Sequence, residues 1–250
     1  MTVIEARGLR KAFGTTIALD GIDLRVEEGR ILGVIGPNGA GKTTLIDMLS
    51  GDLAPTAGSI VYRGSDISRL APERRARLGI GRSYQKINIF PGFSALENCR
   101  IAAQARAPRP LHWLRDALSY GDVLRQAHRA LEAVNLTARA EEIALALSHG
   151  EQRQLEIAMC LATAPQLLLL DEPLAGIGAE ESLKMIELIR QIAATHAVLL
   201  VEHDMDAVFQ LARMLTVMVN GKILATGAPV EIRANREVQG AYLGNLDTTL

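Results

Sequence analysis

Cysteine is scarce in this chain: Cys99 and Cys160 are the only two in 250 residues, and no CxxC spacing joins them. That excludes a disulfide framework and a cysteine-based metal site, and it suits a reducing compartment. An excess of either charge is also missing. With 27 basic and 28 acidic residues the net charge is −1, which gives no electrostatic reason to expect nucleic acid as a partner. No apolar run approaches the ~18 residues of a membrane span; "LLLL" at 167–170 and "AVLLV" at 197–201 have the length of buried strands. The opening "MTVIEARGLRK" lacks the unbroken apolar stretch of a secretory signal. Repeats and low-complexity tracts are absent, and "RAPRPLHW" at 106–113 is the one loop-like stretch rich in proline and arginine. The expectation is a soluble, cytoplasmic protein that meets a membrane only by docking on a membrane protein.

What is present is an ordinary globular composition, 48% hydrophobic and 22% charged, in a chain with ample length for a core. Residues 2–35 read as three strands, "TVIEARGLRKAF", "IALDGIDLRVEEG" and "RILGVIG". The third is nearly all apolar, as expected of a strand covered on both faces. A helix over "GKTTLIDMLSG" ends at Gly51, and "GSIVYRG" is a short strand between glycines. From about 95 to 163 the pattern turns helical, in "DVLRQAHRALEAVNL" and "EQRQLEIAMCLAT". Strand and helix then alternate through "QLLLLDEP", a helix over 180–195, "AVLLVEH" and a helix over 204–213. "LTVMVNGKILATG" is a hairpin whose Asn220-Gly221 fits a two-residue type I′ turn, and a last helical stretch covers about 229–243. The pattern predicts an α/β fold, a βα-layered core with a mostly helical block inserted at about 85–163.

"GPNGAGKTT" at 36–44 matches G-x-x-x-x-G-K-[ST] and lies where that motif must lie, between a buried strand and a helix. Its glycines let successive backbone N–H groups turn toward phosphate oxygens, and the helix N-terminus adds partial positive charge. Gly36, Pro37, Asn38, Gly39, Ala40, Gly41 and Thr44 thus form the cradle, Lys42 reaches the β- and γ-phosphates, and Thr43 offers its hydroxyl to Mg²⁺. A nucleoside triphosphate is the expected ligand. In "LLLLDEP", Asp171 ends a buried strand where a carboxylate can hold Mg²⁺ through water, and Glu172 beside it can polarise an attacking water. His203 closes another strand, within reach of the γ-phosphate and of Glu172, or else serves as a cap or core residue. "LSHGEQRQLEIA" at 147–158 is a second helix start suited to an anion, with Ser148 and Gly150 at its mouth.

Five segments in fixed order, "GPNGAGKTT", "SYQ" at 83–85, "LSHGEQ" at 147–152, "LLLLDEP" and "VEHD", together resemble the ATP-binding subunit of ABC transporters. The resemblance covers the whole chain. It implies a P-loop NTPase core with an N-terminal antiparallel β subdomain and an inserted helical subdomain: residues 1–84 and 164–250 as core, 85–163 as the helical part. It also implies that two such domains pack head to tail around two ATP molecules. "LSHGEQ" is then the signature motif, whose Ser148, Gly150 and Glu151 serve the nucleotide in the partner's P-loop. Gln85 becomes the sensor between Mg-ATP and a membrane subunit, Phe13 the aromatic stacked on adenine, and Glu172 the general base. His149 stands where the family more often has glycine, and Gly178 stands where many relatives have an aspartate that contacts the opposite subunit.

Within the family, "GIGRSYQKINIFPGFSALEN", "EPLAGI", "VEHDMDAV" and "NREVQGAYLG" look most like branched-chain amino-acid importers. So does the extra helical stretch around "PLHWLRDALSYGDVL", typical of the longer of their two ATPase types. That implies a dimer with a different ATPase rather than a homodimer, the other arrangement open to it, on integral membrane permease subunits at the cytoplasmic face of the plasma membrane. A periplasmic or extracellular solute-binding protein would act indirectly. Urea importers and the lipopolysaccharide-export ATPase are similar in sequence. A soluble ABC-type ATPase acting on ribosomes or DNA is the alternative of another class, although the paired domains or coiled-coil insertion usual there are absent. A P-loop kinase or GTPase is a further rival, but it would not need "LSHGEQ", and the N-K-x-D of a GTPase is missing. Tyr84, Phe90 and Phe93 crowd into ten residues, to serve either as core or as an apolar patch for a membrane subunit.

Overall fold

The computed structural model of the chain describes residues 1–106 and 121–243. Two sheets are present among them. The first is antiparallel, with spatial order β2-β1-β4-β5, and contains β1 (Thr2–Phe13), β2 (Thr16–Glu27), β4 (Ala57–Tyr62) and β5 (Ser65–Asp66). The second has six strands in the order β10-β9-β3-β8-β7-β6. These are β3 (Ile31–Ile35), β6 (Ile80–Arg82), β7 (Leu167–Asp171), β8 (Ala197–Val201), β9 (Met214–Val219) and β10 (Lys222–Gly227). All its pairings are parallel except that of β10 with β9.

Side chains alternate across a strand, and this period divides the interior in two. Leu167, Leu169, Leu199 and Val201 point toward the antiparallel sheet and α1 (Lys42–Ser50), in one core. Leu168, Leu170, Val198 and Leu200 point the other way, into a helical core. Every residue of β3, β7 and β8 is therefore buried, which is why these strands read as unbroken apolar runs.

The helical side comprises α3 (Ala95–Arg106), α4 (Gly121–Ala133), α5 (His149–Ala162), α6 (Ala179–Ala193) and α7 (Met205–Leu211), with two 3₁₀ turns between α4 and α5. The extra helical stretch expected over 110–124 falls largely outside the described residues; its last four open α4. Cys99 and Cys160 are free and buried among these helices. Burial pushes the Cys99 thiol up to about 12 and that of Cys160 up as well, so both are inert.

Three short elements escape the sequence pattern: β5, α2 (Pro72–Leu78) and β6. They are too short for periodicity to register, and α2 is fixed by one buried contact set instead. Its Arg75 donates to Met48 O at 2.7 Å and Leu49 O at 2.9 Å, the open carbonyl end of α1. The helical stretch expected over 229–243 is two helices, α8 (Pro229–Ala234) and α9 (Arg236–Leu243). Asn235 breaks it with an extended backbone, and its Oδ1 accepts from Glu237 N at 2.8 Å to start the second helix. The expected hairpin turn holds, with positive φ at both Asn220 (49°) and Gly221 (75°). Among the described residues no helix is long and apolar enough to cross a membrane.

Candidate functional site

The six residues between β3 and α1 form a loop that two glycines make possible. A Cβ on Gly36 would fall 2.2 Å from Met218 O, so β9 lies too close for any side chain. Gly41 has φ 99°, and a Cβ there would fall 2.9 Å from Ala18 O. The loop is thereby pressed against β9 and β2, with Gly39 (φ 79°) open above it. Lys42, first residue of α1, arches back and donates from Nζ to Gly36 O at 2.7 Å and to Pro37 O at 3.1 Å. Burial lowers its pKa, against the pull of Glu172 and Asp171. A phosphate in the loop offers this ammonium a charged partner in place of two carbonyls.

A cleft of about 500 Å³ opens over this loop. Asn38 through Thr44 line it together with Gln85 and Glu172, which brings the expected phosphate, sensor and base residues to one place. Thr16, Ile17, Ala18, Asn220 and Gly221 complete the wall, and sequence reasoning assigned them no part in the site. Asn220 and Gly221 were legible only as a turn. Phe13 lies outside the lining, paired across the hairpin with Thr16; the residue is 51% exposed, with Lys11 Nζ 5.1 Å from its ring centroid. It is an open aromatic face rather than a core residue.

Behind the cleft, Asp171 ends β7 with its side chain buried. Its Oδ2 has no hydrogen-bond partner, and the nearest cation, Arg82, lies at 3.6 Å. Burial pushes the Asp171 carboxyl up to about 6, with Arg82 drawing it the other way. Arg82 is itself occupied by Asp47 at 2.6 Å and Asp52 at 2.7 Å. An orphaned buried carboxylate oxygen on the residue before Glu172, with the Thr43 hydroxyl and the Gln85 amide in the cleft that Glu172 lines, fits a hard cation that also takes phosphate oxygens. No cluster of three His, Cys, Asp or Glu that could cage a metal occurs among the described residues.

Glu172 follows in a left-handed backbone conformation, φ 51°. Its N–H donates to Val201 O at 2.9 Å, and its carbonyl accepts from Ala175 N at 3.1 Å. Gln85 Nε2 donates to one carboxylate oxygen at 3.0 Å, while His203 Nδ1 stands 3.7 Å from the other. Glu202 links the two strand ends: its carboxylate accepts from Leu174 N at 2.8 Å and from His203 N at 3.2 Å. Burial raises its pKa. Sequence reasoning passed over Glu202, although an acid at the end of a buried strand was a signal.

The second helix start expected to suit an anion is that of α5. Ser148 is its N-cap, and a capping box closes with Glu151: Ser148 Oγ accepts Glu151 N at 3.2 Å, and Glu151 Oε2 accepts Ser148 N at 2.8 Å. Arg139 pairs with Glu151 at 3.1 Å. Burial alone would raise the Glu151 carboxyl; Ser148 and Arg139 outweigh it and hold it below the usual range. The mouth already holds an anion. Ser148 Oγ donates to Glu181 Oε1 of α6 at 3.1 Å, and the Glu181 carboxylate covers Gly150 so closely that a Cβ there would lie 2.6 Å from it. The cleft over the P-loop and the cleft at Ser148 share no lining residue. Phe90 and Phe93 stack at 5.8 Å and are 45% and 44% exposed, so they form a surface patch; Tyr84 is partly buried under Arg82.

A profile described as ABC transporter matches residues 19–175. The chain belongs to the ABC transporter family. A second profile, described as branched-chain amino acid ATP-binding cassette transporter, matches residues 222–247. The high-affinity branched-chain amino acid transport ATP-binding protein BraF of Pseudomonas aeruginosa is 38% identical, covering 97% of this chain and 98% of that protein. LivG of Salmonella typhimurium, described in the same words, is 36% identical over 97% and 98%. Among solved structures, the ADP conformation of MJ1267, an ATP-binding cassette of an ABC transporter, superposes with a TM-score of 0.88 at 28% identity, over 98% of this chain and 99% of that one. The fold is thus that of an ABC ATPase cassette.

Proposed function

We propose that the chain is the ATP-hydrolysing subunit of an importer for branched-chain or related amino acids. The observation that carries the substrate class is the 38% identity to BraF over nearly the whole of both chains, reinforced by the separate match at 222–247. ATP binds with its phosphates on residues 36–44 and its adenine on the ring of Phe13. Thr43, Asp171 and Gln85 hold Mg²⁺, which when bound neutralises charge on the β- and γ-phosphate oxygens. Lys42 stabilises the charge of the transferred phosphoryl group, Glu172 draws a proton from the attacking water, and His203 steadies Glu172 and the γ-phosphate.

The chain works in a head-to-tail pair, with a different ATPase as its partner. Support comes from the separation of the two clefts: Ser148 and Gly150 line no part of the cleft that holds their own chain's P-loop. They complete the partner's site together with Glu151, which holds the helix mouth in shape. In the free chain Glu181 fills that mouth, and the incoming γ-phosphate displaces it. Residues 85–163 move as a helical unit against 1–84 and 164–250, and the exposed Phe90–Phe93 patch meets a permease subunit on the cytoplasmic face of the membrane. A periplasmic or extracellular solute-binding protein acts through that permease. The test is to isolate the intact membrane complex and measure which solute raises its ATPase rate. Stimulation by leucine, isoleucine or valine with their binding protein is expected; stimulation by urea or lipopolysaccharide alone would overturn the substrate assignment.

A further inference from the structure

Two charged side chains of α5 grip the loop that carries Gln85. Arg153 and Glu156 pair at 3.2 Å on one turn of the helix, and their side chains are only 5% and 4% exposed. Glu156 Oε1 accepts the backbone N–H of Tyr84 at 3.0 Å and that of Asn88 at 3.3 Å. Arg153 donates through Nη1 to Tyr84 O at 2.7 Å and through Nη2 to Gln85 O. These four backbone contacts bracket Gln85, whose side chain reaches the other way, to Glu172.

A buried ion pair is costly to desolvate, and an apolar pair of similar volume often stabilises a fold as well or better. Burial indeed pushes the Glu156 carboxyl above the usual range despite its partners. What the pair supplies is position, since its hydrogen bonds to backbone all go to one short loop. Ser148 heads the same helix, eight residues before Glu156, or about 12 Å along the axis. One rigid element therefore joins the mouth of the second anion site to the sensor of the first.

We propose that Arg153 and Glu156 are positioning residues for hydrolysis, fixing Gln85 against Glu172 and tying it to the signature helix. The proposal rests on Gln85 acting in the reaction, and its test separates the two. The paired variant Arg153→Met/Glu156→Leu removes both charges, so it leaves no lone buried ion. ATPase rates against ATP concentration, nucleotide affinity and thermal midpoint are measured for it, for Gln85→Ala and for the triple variant. The expected result is a kcat about 10- to 100-fold lower, the scale of a small misplacement in an active site, with nucleotide affinity and thermal midpoint retained. Added to Gln85→Ala, the paired change should lower kcat no further. Glu156→Gln keeps an accepting oxygen and should lose about 3- to 10-fold by the same route, giving the readout if the paired variant does not fold. Normal kcat in a folded variant, or losses that multiply with that of Gln85→Ala, would overturn the positioning role. Full activity in Gln85→Ala itself would remove the role of Gln85 and the proposal with it.

Discussion

Glu172 is held in a backbone conformation that non-glycine residues rarely adopt, at a cost of order 1 kcal/mol that its surroundings must offset. Hydrogen bonds to Val201 O and from Ala175 N do so, and the carboxylate they aim is shared between Gln85 and His203. In its proposed role as general base it would be worth about 10²- to 10⁴-fold in rate. Glu172→Gln should lower kcat by that factor with ATP affinity unchanged, as measured by steady-state hydrolysis beside nucleotide titration. Its neighbour gives a prediction in pH. Burial lifts Asp171 from its usual 3.8 to about 6, so folding penalises the ionised form. That penalty is absent below the unfolded value and complete above about 6; through this group, stability falls as pH rises between them. Asp171→Asn does not titrate. With Mg²⁺ chelated it should exceed the wild type in stability at pH 7 by on the order of 1–3 kcal/mol, with the difference gone at pH 4, and it should lose Mg²⁺-dependent hydrolysis. Denaturant melts across that range check the first part. Lys42, Asp171 and Glu172 were legible because motif spacing names them. Glu181, Glu202 and Arg82 were not, since their partners lie on other elements and only the fold brings them together.

At the scale of elements, α1 and α5 are the two helices whose starts are proposed to receive phosphate, and they are prepared differently. The mouth of α1 is bare backbone shaped by Gly36 and Gly41; that of α5 is closed by a capping box and covered by Glu181 from α6. A carboxylate at a helix N-terminus is stabilised by about 0.3–1 kcal/mol, which any incoming phosphate must overcome. Glu181→Gln keeps an acceptor for Ser148 and removes the charge. It should tighten ATP-dependent pairing about 2- to 5-fold, the equivalent of that energy, in sedimentation of the Glu172→Gln background; weaker pairing at unchanged thermal midpoint would contradict the displacement. Elements with a marked pattern were readable, β3 and β7 as unbroken apolar runs and the 220–221 hairpin from its turn residues. β5, α2 and β6 were not, because a seven-residue helix with three arginines has no apolar stripe and Arg75 acts through a tertiary contact. The break at Asn235 is a matter of one side chain capping the next helix, a local choice that a helical pattern spanning it conceals.

At the scale of the molecule, alternation along the central strands makes two cores back to back, one under the antiparallel sheet and one under the helices. The cleft over residues 38–44 opens where β3 and β7 end, and Ser148 stands on the helical side in a cleft of its own. In the proposed head-to-tail pair, that separation makes a chain with two helix starts suited to anions contribute half of each of two composite sites. The layered architecture was readable from the alternation of patterns, whereas the separation of the clefts was implied only by the family resemblance, because distance between loops is a property of packing. The most direct measurement is size-exclusion chromatography of Glu172→Gln with and without Mg-ATP, alone and mixed with a second ATPase of the same family, beside the same protein carrying Ser148→Arg. An ATP-dependent shift from monomer to dimer that Ser148→Arg abolishes is the predicted result. A chain that binds ATP yet stays monomeric in every mixture, permease subunits included, or one that dimerises regardless of Ser148, would contradict the account.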